Sequence, residues 1–393
     1  MRNESGFSLL EVLVSTAIMI VVTAGVFSVM NPSQGSFSQE PEVADIQQRL
    51  RVASDTLYKD IVMAGGGAYQ GSSSGSLAYF FASVLPYRNG SANDDPPGTF
   101  KTDTITLMYV PDTNAQSTLA AKGPNQKSSE LAVNQDPGCP NADPLCGFKE
   151  GMQLLVYDDS GNYDTFTVTN VQSNPMYIQH NNDKFTYDKY STDPAKPAKV
   201  VQMSMHTYYL KADAVSQTYQ LMHYDGGIGP DVPVVDNVVG LSFDYYGDPQ
   251  PPIMLDPVTL KVSYGPKPPA LTSQPNPNWP AGENCVIQVV GGAQQSRLPI
   301  LGAGGNTLVK LDATNLTDGP WCPDATNANR WDADLLRVRK VVVKVRVQAA
   351  LASLRGPASV FFTNGGTSKS STKWVPDQEV RFQVTPRNLN LGR

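Results

Sequence analysis

The sequence predicts an α+β protein. It should have an N-terminal hydrophobic helix broken near Pro32, then an amphipathic helix packed on a mainly antiparallel β-sheet head with long loops. Three observations lead there. Residues 6–30, GFSLLEVLVSTAIMIVVTAGVFSVM, form an apolar run whose only charge is Glu11. After Pro41, the residues Val43, Ile46, Leu50, Leu57 and Ile61 recur at helical spacing, with Ala53 and Ala64 filling the stripe. Beyond residue 100 the period shortens to that of strands. The 32 glycines, 31 prolines and only 17% charged residues suit a turn-rich β protein better than a helical bundle.

The first helix, from Phe7 to Met30, would be about 36 Å long at 1.5 Å per residue. That is enough to cross a hydrocarbon core of roughly 30 Å. Pro32 and Gly35 should interrupt it as the chain leaves the membrane. Pro41 suits the first turn of the second helix. Gly65-Gly66-Gly67 should stop that helix near Ala64. The triplet is not a phosphate loop, because it follows a helix instead of opening one.

Glu11 is the residue that an ordinary anchor does not explain. A charged side chain within a bilayer costs on the order of 2.5–3.5 kcal/mol on insertion scales, so its presence implies a cationic partner. A secretory signal would have a shorter apolar core, about 7–15 residues, with a small-residue site behind it. A plain single-pass anchor has the right length and leaves Glu11 without a role.

The run Gly6-Phe7-Ser8-Leu9-Leu10-Glu11-Val12 resembles the class III signal of type IV prepilins and type II secretion pseudopilins. The leader, residues 1–6, holds both Arg2 and Glu4. The resemblance implies cleavage after Gly6 by a prepilin peptidase, which then N-methylates Phe7. It also implies that Glu11 pairs with the N-terminal amine of a neighbouring subunit. Further along, ADIQQRLRVASDTLYKDIVMAGGG (Ala44–Gly67) resembles the PilW-like minor pilin family, through Asp45, Gln48, Leu50, Arg51, Ala53 and Met63-Ala64-Gly65. So do LTDGPWC, DADLLRVR, RGP and VTPRNLNLGR between Leu316 and Arg393.

Taken together, the expected divisions are a leader at 1–6 and a transmembrane or filament-core helix at 7–30. A kink and amphipathic helix follow at 31–64, then a periplasmic head at 65–393 with a loop-rich, proline-rich insertion at 248–330. The implied function is a minor pilin that primes assembly or forms the filament tip. The implied partners are other major and minor pilins, prepilin peptidase, the inner-membrane assembly platform and inner-membrane lipid. The chain would reside in the bacterial inner membrane with its head in the periplasm, and later in the pilus at the cell surface. A J-type minor pseudopilin of type II secretion and a pilus-tip adhesin are the alternatives.

In the head, Thr102–Val110 alternates with β-branched residues. Met152–Tyr157 and Tyr163–Val171 read as a hairpin around DDSGN, with Met176–His180 as a further strand. Val200–Leu210 and Gln217–Tyr224 form a second hairpin candidate, and Val232–Tyr246 a long strand region. Cys285–Val290, Thr307–Asp312 and Glu379 onward return to strand character. Residues 248–282 read as an exposed arm with little regular structure. Residues 335–350, LLRVRKVVVKVRVQAA, read as a half-buried strand whose Arg and Lys residues form a solvated face.

Cys139, Cys146, Cys285 and Cys322 give an even count in an exported chain, which points to disulfides. Three connectivities are possible, and the local one, Cys139 with Cys146 and Cys285 with Cys322, is the simplest. Their spacing does not suit zinc. Asp158, Asp159 and Asp164 in DDSGNYD could hold Ca²⁺, but the later bidentate glutamate of a calcium loop is missing and a hairpin turn is expected instead. His180, His206 and His223 have no nucleophile beside them in sequence, and no hydrolase elbow or zinc-protease motif occurs. Neither an enzyme activity nor a cofactor is expected. A net charge of −6 argues against nucleic acid as a partner.

Overall fold

Helix α1 (Leu9–Met63) is a single helix of 55 residues in the computed structural model. The structure describes residues 8–67, 75–88, 98–123, 127–159, 161–181, 185, 189–190, 197–213, 218–227, 229–256, 258, 261–272, 279–352, 354–355 and 375–390. The expected leader and the Gly6–Phe7 junction lie outside them. The two helices expected on either side of Pro32 are thus one, and Pro41 lies inside it instead of opening a new one. An interior proline removes one i→i−4 bond and crowds the preceding turn, at about 3 kcal/mol. The long runs of intact helix before and after each proline carry the chain across that local loss.

In its second half, α1 buries the expected stripe. Ile46, Ala53, Leu57, Ile61 and Ala64 are fully inaccessible, with Val43 and Leu50 half-buried. The helix stops because Gly65 turns to φ +82°, and a Cβ there would lie 2.3 Å from the Leu389 side chain. Its last carbonyls are taken up by the C-terminal segment. The Arg387 N–H donates to Val62 O at 3.2 Å and Asn388 Nδ2 donates to Met63 O at 3.2 Å.

Strands β1 (Val84–Leu85) and β2 (Ile105–Tyr109) begin an antiparallel sheet. The chain then leaves it. β3 (Gln116–Thr118), β4 (Glu130–Ala132), β5 (Gln153–Tyr157), β6 (Tyr163–Ser173), β7 (Met176–His180) and β8 (Lys199–Gln202) form a separate sheet in the order β3-β8-β5-β6-β7-β4. Its edge strands meet. Leu119 bridges Val133, Ala120 N–H donates to Ala132 O at 3.0 Å, and Asn134 N–H donates to Thr118 O at 2.9 Å. The six strands therefore close into a small barrel, which removes its free edges. Leu131, Leu154, Val156, Phe166, Ile178 and Val200 belong to its own apolar core.

The chain returns to the first sheet at β9 (Ser204–Asp213), followed by β10 (Thr218–Tyr224) and β11 (Val232–Asp236). Tyr109, the last residue of β2, lies opposite Ser204, the first of β9. Residues 110–203 are thus an insertion between two paired neighbours. The single strand expected over Val200–Leu210 is divided at Met203, because Val200 and Val201 serve the barrel while Met205 and Tyr208 serve the other sheet. The strand expected over Val232–Tyr246 is likewise divided, at Asn237. That residue takes φ 59°, a left-handed conformation that asparagine tolerates better than most residues. Beyond it, β12 (Val238–Gly247) enters another sheet.

The segment after β12 carries the short pair β13 (Met254–Asp256) and β14 (Lys261–Val262), then the hairpin β15 (Ile287–Val290) and β16 (Ala293–Ser296). β17 (Val309–Leu311) pairs with β12, β18 (Trp321–Cys322) pairs with β19 (Trp331–Asp332), and β20 (Val338–Val347) and β21 (Gln378–Val384) complete the sheet β17-β12-β20-β21.

The basic face expected on β20 is not solvated. Arg339 and Arg346 are buried in the strand, as is Arg337 just before it. The proline-rich stretch covers Arg337 and Arg339, while Arg346 lies beside Gly240 of β12. Arg337 donates to the carbonyls of Asp248 (3.2 Å), Pro249 (3.2 Å), Gln250 (3.0 Å) and Pro299, and pairs with Asp334. Arg339 pairs with Asp248 at 2.9 Å and lies over Tyr264, whose hydroxyl donates to Gln250 O at 2.7 Å. Proline-rich backbone has few N–H donors and many open carbonyls, and the guanidinium groups supply the missing donors. The stretch is therefore fastened at 248–250 and at Tyr264, whereas Ile253, Leu255 and Val258 between them are exposed, as expected of an arm.

The chain folds as two compact units, Met1–Arg51 with Val347–Gln378, and Val52–Arg346 with Glu379–Arg393. In the first, the buried Glu42 carboxylate accepts the Ala350 N–H, and Arg355 donates to Ala349 O and Ala350 O at 2.8 Å each. In the second, Cys139 is bonded to Cys146 and Cys285 to Cys322, with Cα separations of 5.6 and 5.1 Å. The sequence separations are 7 and 37 residues. Loop-closure entropy then predicts losses of about 2.5 and about 4 kcal/mol on replacing each pair by alanine. Urea unfolding of the two double variants should show that order, and the reverse order would contradict it.

Candidate functional site: the N-terminal helix and its carboxylate

The apolar run is built to be covered by something other than this chain. Leu9–Ser28 is long and apolar enough to cross a membrane, and none of it is buried. Leu9 is 83% exposed, and Leu10 and Val21 are 72% exposed each. Three hydroxyls within the run turn inward to the helix backbone. Thr16 Oγ1 donates to Val12 O at 2.7 Å, Thr23 Oγ1 to Met19 O at 2.6 Å and Ser28 Oγ to Gly25 O at 2.8 Å. Each hydroxyl is thereby satisfied without a solvent or a neighbour, and the outer surface is left almost wholly hydrocarbon.

Glu11 is tied to the helix start. Ser8 N–H donates to Glu11 Oε2 at 2.9 Å, and Glu11 N–H donates to Ser8 Oγ at 3.2 Å. This reciprocal pair is a capping box, which satisfies two of the donors a helix N-terminus leaves open. The carboxylate also lies in the first turn, where the helix dipole favours negative charge. Attention to the charge of Glu11 alone misses this capping role. The signal for it is present in the sequence, as Ser-x-x-Glu in front of an apolar run. A carboxylate accepts several hydrogen bonds, so capping Ser8 leaves it able to take a cationic donor.

The other candidate residues lie elsewhere. Asp158, Asp159 and Asp164 do not converge. Asp158 accepts from Asn162 N–H (3.1 Å) and Nδ2 (2.8 Å), and Asp159 pairs with Lys199 at 3.2 Å. Asp164 is held by Lys189 (2.9 Å), Tyr190 (2.8 Å) and Asn329 (3.3 Å). Burial raises the Asp164 carboxyl, with Lys189 opposing it. These carboxylates shape the β5–β6 turn and are spoken for by protein donors. The four cysteines are consumed by the two disulfides. Of the histidines, His180 lies against Phe166 and Phe185 in the barrel, while His206 and His223 meet on another face.

Residues 1–27 match the family model of the prokaryotic N-terminal methylation motif. The chain therefore carries a type IV pilin-like prepilin signal, the mark of a pilin- or pseudopilin-like prepilin protein. An exposed apolar helix directly behind such a signal fits membrane anchoring of a pilin-like protein. Comparison with curated proteins and with solved structures gives no match.

Proposed function

We propose that this chain is a minor pilin of a type IV pilus, resembling the PilW-like family, that helps to prime the filament or forms its tip. The observation that carries the reading is the methylation motif joined to a bare apolar helix with a single carboxylate. Prepilin peptidase cleaves after Gly6 and methylates the new N-terminus at Phe7. The helix first resides in inner-membrane lipid with the β-rich head in the periplasm. The assembly platform then moves it into a filament, where the helices of other major and minor pilins replace the lipid. Glu11 pairs with the N-terminal amine of a neighbouring pilin. Among several axial staggers, only one brings acid and amine together, so the pair fixes register as well as offsetting a charge that is costly when buried alone. The head acts by assembly and contact, with no cofactor, nucleic acid or catalysed reaction assigned to it.

The processing step is tested by mass spectrometry of the chain from piliated cells. The expected N-terminus is N-methylphenylalanine at position 7, and Gly6→Glu should accumulate a precursor six residues longer, as read from the sequence. A mature chain that still begins at Met1 would overturn the reading. The assignment to a pilus is tested by deleting the gene. Loss of surface pili with protein secretion intact is expected, whereas lost secretion with normal pili would assign the chain to type II secretion.

A further inference from the structure

We propose that Asp60, His206 and His223 form a binding site for a divalent transition cation of the zinc class, fastening the end of helix α1 to the β9–β10 pair. The strand register explains how the residues meet. His223 on β10 lies opposite Tyr208 on β9, so His206, two residues before Tyr208, is its diagonal neighbour on the same face. Asp60, in the last turn of α1, lies over that face. His206 Nδ1 and His223 Nε2 are 2.8 Å apart, and His206 Nδ1 is 3.5 Å from Asp60 Oδ2. One ligand atom from each of the three residues falls within 4.8 Å of the others.

The donor set is chemically suited. Two imidazoles and a carboxylate are a common zinc complement, with a fourth position left for water or another ligand. Ligands of a tetrahedral zinc stand about 3.3 Å apart, so the two rings need to part by roughly half an ångström. Such sites also need neighbours that orient the ligands, and these are present. The Tyr208 hydroxyl donates to Asp60 Oδ2, and Tyr109 OH lies 3.2 Å from His206 Nε2. In the metal-bound form His206 carries its proton on Nε2, facing Tyr109, and His223 carries its proton on Nδ1. The proton shared between the two rings thus moves to an outer nitrogen. Burial lowers both imidazoles from their ordinary range, which keeps their lone pairs available, with Lys59 adding to the effect at His206. The negative charges of Asp60 and Asp225 oppose that shift and attract a cation. Of the three ligands, His206 lines a surface cavity, with Glu150, Gln202, Ser204 and Asp225.

The test is calorimetric titration of the full chain in detergent micelles with zinc chloride, followed by X-ray absorption of the loaded protein. One equivalent should bind, and the absorption spectrum should count two imidazoles with oxygen donors. His206→Gln and His223→Gln should lose saturable binding, and Tyr208→Phe should weaken it about tenfold. His180→Gln should bind as the parent does. The absorption count needs no variant, so it decides the matter even if a substitution unfolds the head. No binding by the parent chain, a spectrum with fewer than two imidazoles, or undiminished binding by folded His206→Gln or His223→Gln would overturn the proposal.

Discussion

Arg337→Met is expected to destabilise the head by about 3–5 kcal/mol, the cost typical of breaking a buried charge pair from one side. Arg337 is fully buried. It serves four carbonyls, of Asp248, Pro249, Gln250 and Pro299, and one carboxylate, of Asp334. Methionine keeps most of the volume and none of the donors. The carbonyls lose their partner and Asp334, itself buried, loses its counter-charge. The sign of the pH dependence follows. Burial already holds the Asp334 carboxyl at about 6, against the pull of Arg337. Without the guanidinium that carboxyl rises further, so the folded variant retains a proton that the folded parent releases. The deficit should therefore be largest near about pH 8 and shrink towards about pH 5. Urea unfolding at the two pH values measures it. A loss below about 1 kcal/mol, or one that grows on acidification, would show that Arg337 is not the anchor of the proline-rich stretch.

Glu11→Ala should leave membrane insertion intact, and even favour it, while removing the chain from filaments. Insertion scales assign a carboxylate in a bilayer about 2.5–3.5 kcal/mol, which alanine avoids. What alanine loses is the cap on Ser8 and, under the proposed function, the acceptor for a neighbouring amine. Loss of a cap costs only about 1 kcal/mol and would not by itself exclude the protein from a filament. The two roles are separable. Glu11→Gln keeps an oxygen for the Ser8 N–H but carries no charge, and should fail in assembly as alanine does. Immunoblots of sheared pili and of membrane fractions give the two readouts. Normal filament content for either variant would refute the amine pairing.

What can be read from the sequence follows from how locally each feature is encoded. The strand Met176–His180 and the turn that sets Tyr157 opposite Tyr163 are written in a few contiguous residues, and the structure has both. The stripe from Ile46 to Ala64 needs only helical spacing, and it too is present. The expected break in α1 is absent because a proline exacts a local cost, whereas helix continuity is a property of the long runs around it. The divisions at Met203 and Asn237 depend on which sheet each half of a strand joins. Nothing in VVQMSMH announces that. The burial of Arg337 and Arg339 depends on a segment some ninety residues earlier lying across them. The prepilin signal is contiguous and therefore legible, whereas the meeting of Asp60 with His206 and His223 depends on strand register and on where the helix lies.

The closed barrel within residues 110–203 leaves the chain and rejoins it at one place, the facing residues Tyr109 and Ser204. Because its two ends are neighbours across one ladder rung, the sheet that carries it needs no more than a tight turn at that place. Between those ends the barrel is held to the rest of the head by side chains, with Phe80 on Tyr157, Phe81 on Tyr163 and Asn329 donating to Asp164. Changes in the length of β3 to β8 therefore reach the sheet through side-chain packing and through that single rung, and through no other strand of it.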